Sequence, residues 1–359
     1  MRIAFVHEYL NQFGGAERTL ATLVSMFPEA PIYTLLYDEK ATRGVFRSRK
    51  VQTSFLQKFP MAISHHEWYP ALMPLAIEQF DFSQFDVVVS ISASFAKGVI
   101  TKPQTRHICY CLTPPRFLWD NSQKFGKDFG FPFFIRFASQ PLISYLRNWD
   151  NTASDRPDEF WRISNFVGNR IDKYYRRPSV QIYPPVDTSL FTLATEPPKD
   201  YFLMAGRLVS YKKFDVAIKA FNELGLPLKI IGVVPEVSNL KKVANKNIEF
   251  LGQVSDESLS QYYRGARALV FPQEEDFGIV PLESMSSGRP VIAYSGGGAK
   301  ETVIDGETGI FFDSQTPQSI IDAVKKFGSL KFDPNLCRHQ AEKFSVEKFK
   351  EQVKKNLQI

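Results

Sequence analysis

Short, almost uninterrupted apolar runs alternate along this chain with segments of helical periodicity, and the alternation constrains the fold more than any other feature. The opening run RIAFVHEY leads through paired glycines into GGAERTLATLVSMF, a strand, turn and helix in that order. Strand-like IYTLLY, helix-like YPALMPLAIEQF, strand-like DVVVSIS, RHICYCLT and EFWRISNF, and helical VGNRIDKYY follow. Strands this apolar are covered on both faces, so the pattern predicts a parallel, doubly wound α/β architecture. After VQIYPPVDTSLF, whose double proline breaks the pattern, a second series begins with YFLMAGRL, FDVAIKAFNEL, PLKIIGV, IEFLGQV, LSQYYRGARALVF and PVIAYS. A chain of 359 residues exceeds what one core usually serves, and two domains with a cleft between them are expected. The boundaries fall at 1–186 and 187–344, with residues 345–359 completing the first domain. That last segment, FSVEKFKEQVKKNLQI, reads as one amphipathic helix with Ser345 as N-cap, an apolar stripe of Phe349, Val353 and Leu357, and lysines on its solvated face.

Charge narrows the partners. Against 38 acidic residues the chain carries 44 Lys and Arg, for a net charge of +6 and a pI near 9.0, a mild bias towards anionic ligands. No helix-turn-helix, zinc-finger or RNP signature accompanies it, so nucleic acid is not expected. Cys109, Cys111 and Cys337 cannot all pair, and the single residue between the first two suits neither a redox pair nor a zinc site. No apolar run approaches the roughly 20 residues of a spanning helix, and the first residues lack the pattern of a signal peptide, which predicts a cytosolic protein. Residues 116–149, with ten aromatic side chains, five Lys or Arg and two acids, fit either an insertion packed on its own domain or a contact with a membrane surface or lipid acceptor.

The chemistry concentrates in FPQEEDFGIVPLESMSSGRPVIAYSGGGAKETV. A helix begins just after Gly278, and its unpaired amides and positive dipole end would receive an anion beside Gly278, Ile279 and Val280. Acids nearby would oppose that anion unless they serve hydroxyl donors instead. Glu275 and Glu283, eight residues apart, are suited to accept from sugar hydroxyls, which places phosphate and sugar together. Arg207 and Lys212 in GRLVSYKKFD supply the cations a diphosphate needs, most of all while a leaving group gains charge.

The motifs GRLVSYKKFD, the E-x7-E spacing in EDFGIVPLE, SGRPVIAYSGGGAKETV and the early GGAER together resemble the retaining glycosyltransferases of family 4, and the resemblance spans nearly the whole chain. PPRFLWD is similar to members acting in bacterial exopolysaccharide and O-antigen synthesis, mannosyltransferases among them, and a cyanobacterial envelope-polysaccharide enzyme is a candidate closer relative. The resemblance implies the GT-B fold: two Rossmann-like domains facing a cleft, the C-terminal helix crossing back to the first. It implies that Arg207 and Lys212 bind the donor diphosphate, Glu275 contacts the transferred hexose, Glu283 the ribose hydroxyls, Gly15 a donor phosphate or the acceptor, and Phe250, Leu251 and Gly252 the base. The implied activity is transfer of a hexose from a nucleotide diphosphate sugar, UDP-glucose first and GDP-mannose next, to a glycan or lipid-linked glycan. No cofactor or metal is expected, since no Asp-x-Asp occurs. The chain departs from the family at Leu112, where relatives carry a histidine near the donor sugar. His107 points to the opposite face of an extended strand and should not replace it, and His7 near the end of the first strand reads as structural. The departure keeps two alternatives open, an idle sugar-nucleotide-binding scaffold and a sugar-nucleotide epimerase.

Overall fold

The strand β1 (Ile3–Leu10) is buried along nearly its whole length, as a strand covered on both faces must be. In the computed structural model, which describes residues 1–120, 140–232 and 237–359, it lies inside a seven-stranded sheet, between β2 and β4. That sheet runs β3-β2-β1-β4-β5-β6-β7, with β2 Ile32–Tyr37, β3 Val51–Thr53, β4 Val87–Ser92, β5 Arg106–Cys111, β6 Glu159–Arg162 and β7 Ser179–Gln181. A second sheet runs β10-β9-β8-β11-β12-β13, with β8 Phe202–Ala205, β9 Leu228–Ile231, β10 Ile248–Gly252, β11 Leu269–Phe271, β12 Val291–Tyr294 and β13 Gly309–Phe312. Every pairing in both sheets is parallel. All strands of a sheet therefore end at one edge. The winding direction reverses between β1 and β4 in the first sheet and between β8 and β11 in the second, and the loops leaving those two pairs open a crevice at the carboxyl edge of each.

The chain divides into one unit of Met1–Tyr183 with Gln352–Ile359, and a second of Pro184–Glu351. The first unit buries Val6, Leu35, Val88, Phe95, Ile77 and Leu146 in one cluster, and the second buries Phe202, Phe214, Phe221, Ile230, Ile292 and Phe327 in another. The C-terminal helix Val346–Leu357 starts as expected, with Ser345 Oγ accepting from the Lys348 amide at 3.3 Å. Phe349, Val353 and Leu357 are buried, and Lys348, Lys354 and Lys355 are exposed. Its last turn is tied to β5, where Arg106 Nη2 donates to the Asn356 carbonyl at 3.0 Å.

Several elements differ from the sequence reading. Over YPALMPLAIEQF a 3₁₀ turn Pro70–Leu72 precedes a short α-helix Met73–Glu78, because Pro74 lacks an amide and is tolerated only in a first helical turn. The strands β3, β7 and β13 went unread, each three or four residues long at an edge of its sheet. Among the described residues no helix is long and apolar enough to cross a membrane.

Candidate active site

The second unit gathers most of the expected residues at the carboxyl edge of its sheet. Arg207 lies exposed two residues beyond β8. The chain then makes a 3₁₀ turn, Ser210–Lys212, before the helix Phe214–Leu224, and this turn carries Lys212 back under the loop so that only 8% of the residue is exposed. Glu275 stands in the loop after β11, next to β8 in the sheet. The two meet: Lys212 Nζ lies 2.8 Å from Glu275 Oε1, with side-chain exposures of 10% and 19%. The sequence assigned Lys212 to a diphosphate and Glu275 to a hexose as separate contacts, and the structure joins them as an ion pair. Gln273 Nε2 donates to the same Glu275 Oε1 at 3.3 Å.

The consecutive glycines of YSGGGAKE hold this loop in place. After β12 the chain passes so close under residues 274–277 that a Cβ at Gly297 would sit 2.3 Å from the Glu275 carbonyl oxygen, and its φ of +60° is one that side chains disfavour. The Gly298 amide donates to that carbonyl at 2.9 Å, and a Cβ there would meet the Phe277 Cα at 2.4 Å. Backbone against backbone at this distance fixes where the Glu275 carboxylate starts.

The next element is the helix Ile279–Ser286, whose N-cap Gly278 has φ +91° and ψ +69° and supplies no capping side chain. The first-turn amides of Ile279 and Val280 therefore have no side-chain cap, and they carry the partial positive charge of the helix end. Glu283, on the second turn of this helix, is 8% exposed and accepts from Tyr263 Oη at 2.8 Å. That bond engages Oε2 and orients the carboxylate. Phe250 and Leu251 are half-buried and Gly252 exposed at the carboxyl end of β10, where the pairing with β9 shifts register. They share the sheet edge of Arg207 and Glu275, two strands away from β8.

Gly15 belongs to the first unit and opens the helix Gly15–Met26 beside β1. The buried Glu17 carboxylate accepts from the Gly14 amide at 2.7 Å, so this helix start already faces a negative charge. Leu112, half-buried, continues β5 with its amide bonded to the Ser92 carbonyl at 2.7 Å. His107 is wholly buried against Ser90 Oγ at 2.9 Å, and burial pushes its imidazole down to about 4. His7 is 4% exposed within β1. All three cysteines are free and buried.

The PPRFLWD segment is a tied turn. Arg170 donates to the Pro114 carbonyl at 3.1 Å and pairs with Asp120, and Trp119 stacks on Tyr174 at 4.8 Å. Trp119 Nε1 also reaches Asp150 at 2.8 Å, and Asp150 pairs with the buried Lys97. The rest of the aromatic and basic stretch, residues 121–139, lies outside the described residues. Gln273 and Tyr263 were missed from the sequence, because nothing in their spacing separates them from core or surface positions. Among the described residues no cluster of metal-ligating side chains occurs.

Two parallel, doubly wound units, with a cation, a carboxylate pair and a helix start without a side-chain cap at the switch point of the second, define the GT-B class of glycosyltransferase fold. Residues 187–344 match the family Glycosyl transferases group 1. The chain is 28% identical over 177 residues to the uncharacterized glycosyltransferase MJ1178 of Methanocaldococcus jannaschii, covering 48% of this chain and 50% of that protein. It thus spans half the length of that relative. It is 26% identical over 312 residues to the alpha-1,3/1,6-mannosyltransferase ALG2 of Mus musculus, covering 75% and 72%. It is 33% identical over 146 residues to a GDP-mannose-dependent alpha-(1-6)-phosphatidylinositol monomannoside mannosyltransferase of Mycolicibacterium smegmatis, covering 36% and 37%. Among solved structures, HepE of Anabaena, in complex with UDP and glucose, superposes with a TM-score of 0.71 at 16% identity over 100% of this chain and 99% of that one. Sucrose-phosphate synthase of Thermosynechococcus elongatus gives a TM-score of 0.73 at 14% identity over 100% and 98%. At these identities the likeness is one of fold.

Proposed function

We propose that this chain is a retaining, metal-independent hexosyltransferase, moving a hexose from a nucleotide diphosphate sugar to a glycan or lipid-linked glycan acceptor in extracellular polysaccharide synthesis. The observation that carries the reading is the Lys212–Glu275 pair at 2.8 Å beside the helix start at Gly278, at the switch point between β8 and β11. An ammonium, the exposed Arg207 guanidinium and the Ile279 and Val280 amides suit a diphosphate, whose charge grows as the glycosidic bond loosens. Glu275 then accepts from hydroxyls of the hexose, and Glu283, oriented by Tyr263, from those of the ribose. Cationic groups and a helix end do here what a divalent ion does in other transferases. With the same face of the sugar attacked as is vacated, the departing phosphate is itself the base for the acceptor proton, so Leu112 in place of a histidine leaves the chemistry intact and alters recognition of the donor sugar.

The sequence favoured UDP-glucose over GDP-mannose. The mouse relative is a mannosyltransferase and the mycobacterial one GDP-mannose-dependent, which brings mannose from GDP-mannose to the front of the two. A lipid-linked acceptor would draw a chain of net charge +6 to an anionic bilayer surface as a peripheral protein. The test is release of nucleoside diphosphate from a panel of nucleotide sugars by the purified protein with acceptor-bearing extracts. Release with one hexose donor, and a product of the donor's anomeric configuration by NMR, is expected. An isomerised donor would identify an epimerase, and binding without turnover a scaffold; either result overturns the reading.

A further inference from the structure

Gln273 is the second residue after β11 and only 1% exposed. Its backbone is held on the near side, where the Pro272 carbonyl accepts from Gln315 Nε2 at 2.8 Å. Its amide is used at one end only: Nε2 donates to Glu275 Oε1, whereas the buried Oε1 has no hydrogen-bond partner. A buried carbonyl oxygen without a donor costs stability, and a hydrocarbon of the same shape would avoid that cost. The amide thus sits where a methionine would serve packing better, and what distinguishes it is the bond from Nε2.

That bond falls on the oxygen that also faces Lys212 Nζ at 2.8 Å. Among the described residues no hydrogen bond reaches Glu275 Oε2. An ammonium alone can swing to draw in both oxygens of a carboxylate, since its three donors rotate freely on a flexible stem. A neutral donor on a fully packed side chain fixes Oε1 in one direction and leaves Oε2 for a ligand hydroxyl.

We propose that Gln273 is a positioning residue for the donor hexose: it holds the Glu275 carboxylate so that Oε2 meets the sugar hydroxyls, without itself touching the ligand. The proposal rests on the reading of Glu275 as the hexose contact. The test compares wild-type protein with Gln273→Met by calorimetric titration with UDP, GDP, UDP-glucose and GDP-mannose, together with thermal unfolding of both. For the accepted donor, the variant should bind the free nucleoside diphosphate within about twofold of wild type and the nucleotide sugar roughly tenfold more weakly, the scale of one hydrogen bond to a charged group. Its melting temperature should be unchanged or higher. An unchanged ratio of sugar-nucleotide to nucleotide affinity overturns the proposal, as does an equal loss for both ligands with a lowered melting temperature, which would mark a packing role. If wild-type protein binds none of the four ligands, the reading of the site fails and this proposal with it; a wild type that binds while the variant's ratio stays constant removes this proposal alone.

Discussion

Replacing Glu275 by glutamine should have opposite effects on nucleotide binding and on transfer. Lys212 is engaged by Glu275 at 2.8 Å, so a diphosphate at the proposed site would share that ammonium with a carboxylate. A phosphate oxygen on the far side of Nζ would stand about 5 Å from the carboxylate. At that separation two unit charges repel by roughly 1.7 to 3.3 kcal/mol for an effective dielectric between about 20 and 40, the range suited to a pair with side-chain exposures of 10% and 19%. Removing the charge while keeping the shape should tighten UDP or GDP binding by about 15- to 250-fold. Transfer should fall by roughly 10²-fold or more, because the hexose loses its strongest acceptor while its bond breaks. Calorimetry with the free nucleoside diphosphate and a nucleotide-release assay on the same preparation measure the two effects. Weaker or unchanged nucleoside diphosphate binding in Glu275→Gln would refute the reasoning, since Lys212 would then not be the phosphate ligand.

Arg207→Ala should lower transfer by roughly 10²-fold with no change in melting temperature, because the residue is exposed. Gly297→Ala should cost about 1 to 3 kcal/mol in denaturant unfolding and abolish donor binding, since the new Cβ would lie 2.3 Å from the Glu275 carbonyl at a φ of +60°. Asp150→Asn strands the Lys97 ammonium, 1% exposed, and should destabilise the chain by about 3 to 5 kcal/mol, measured the same way at pH 7. His107, lowered from 6.5 to about 4 by burial, refuses a proton that the unfolded chain accepts. Its contribution is fully present above about pH 6.5 and is lost as pH falls towards 4, by about 3 kcal/mol in total; a denaturation series that shows no fall in stability across this window would contradict the assignment.

The strands of both sheets were legible because a parallel strand buried on two faces leaves a run such as VVVSIS or YFLMAG that no amphipathic helix would contain. The edge strand Val51–Thr53 left no such trace, since two of its three residues are only half-buried and one is exposed. The helix start at Gly278 and the spacing of Glu275 and Glu283 are local features and could be read directly. The ion pair could not: Lys212 and Glu275 follow β8 and β11, and they become neighbours only because the chain winds outward through β9 and β10 before returning to the other side of β8. The glycine triplet was visible as a peculiarity, whereas its reason, the approach of two loop backbones, is tertiary. Tyr263 and Gln273 act through one hydrogen bond each, and sequence periodicity is silent on where a single buried hydroxyl or amide points.

The most direct test is a crystal structure of the protein with an intact or hydrolysed hexose donor. The account predicts the diphosphate against Arg207, Lys212 and the amides of Ile279 and Val280, the Lys212–Glu275 contact lengthened, and Glu275 and Glu283 accepting from hexose and ribose hydroxyls. A diphosphate bound away from the carboxyl edge of β8 and β11, with the Lys212–Glu275 pair undisturbed at 2.8 Å, would contradict it.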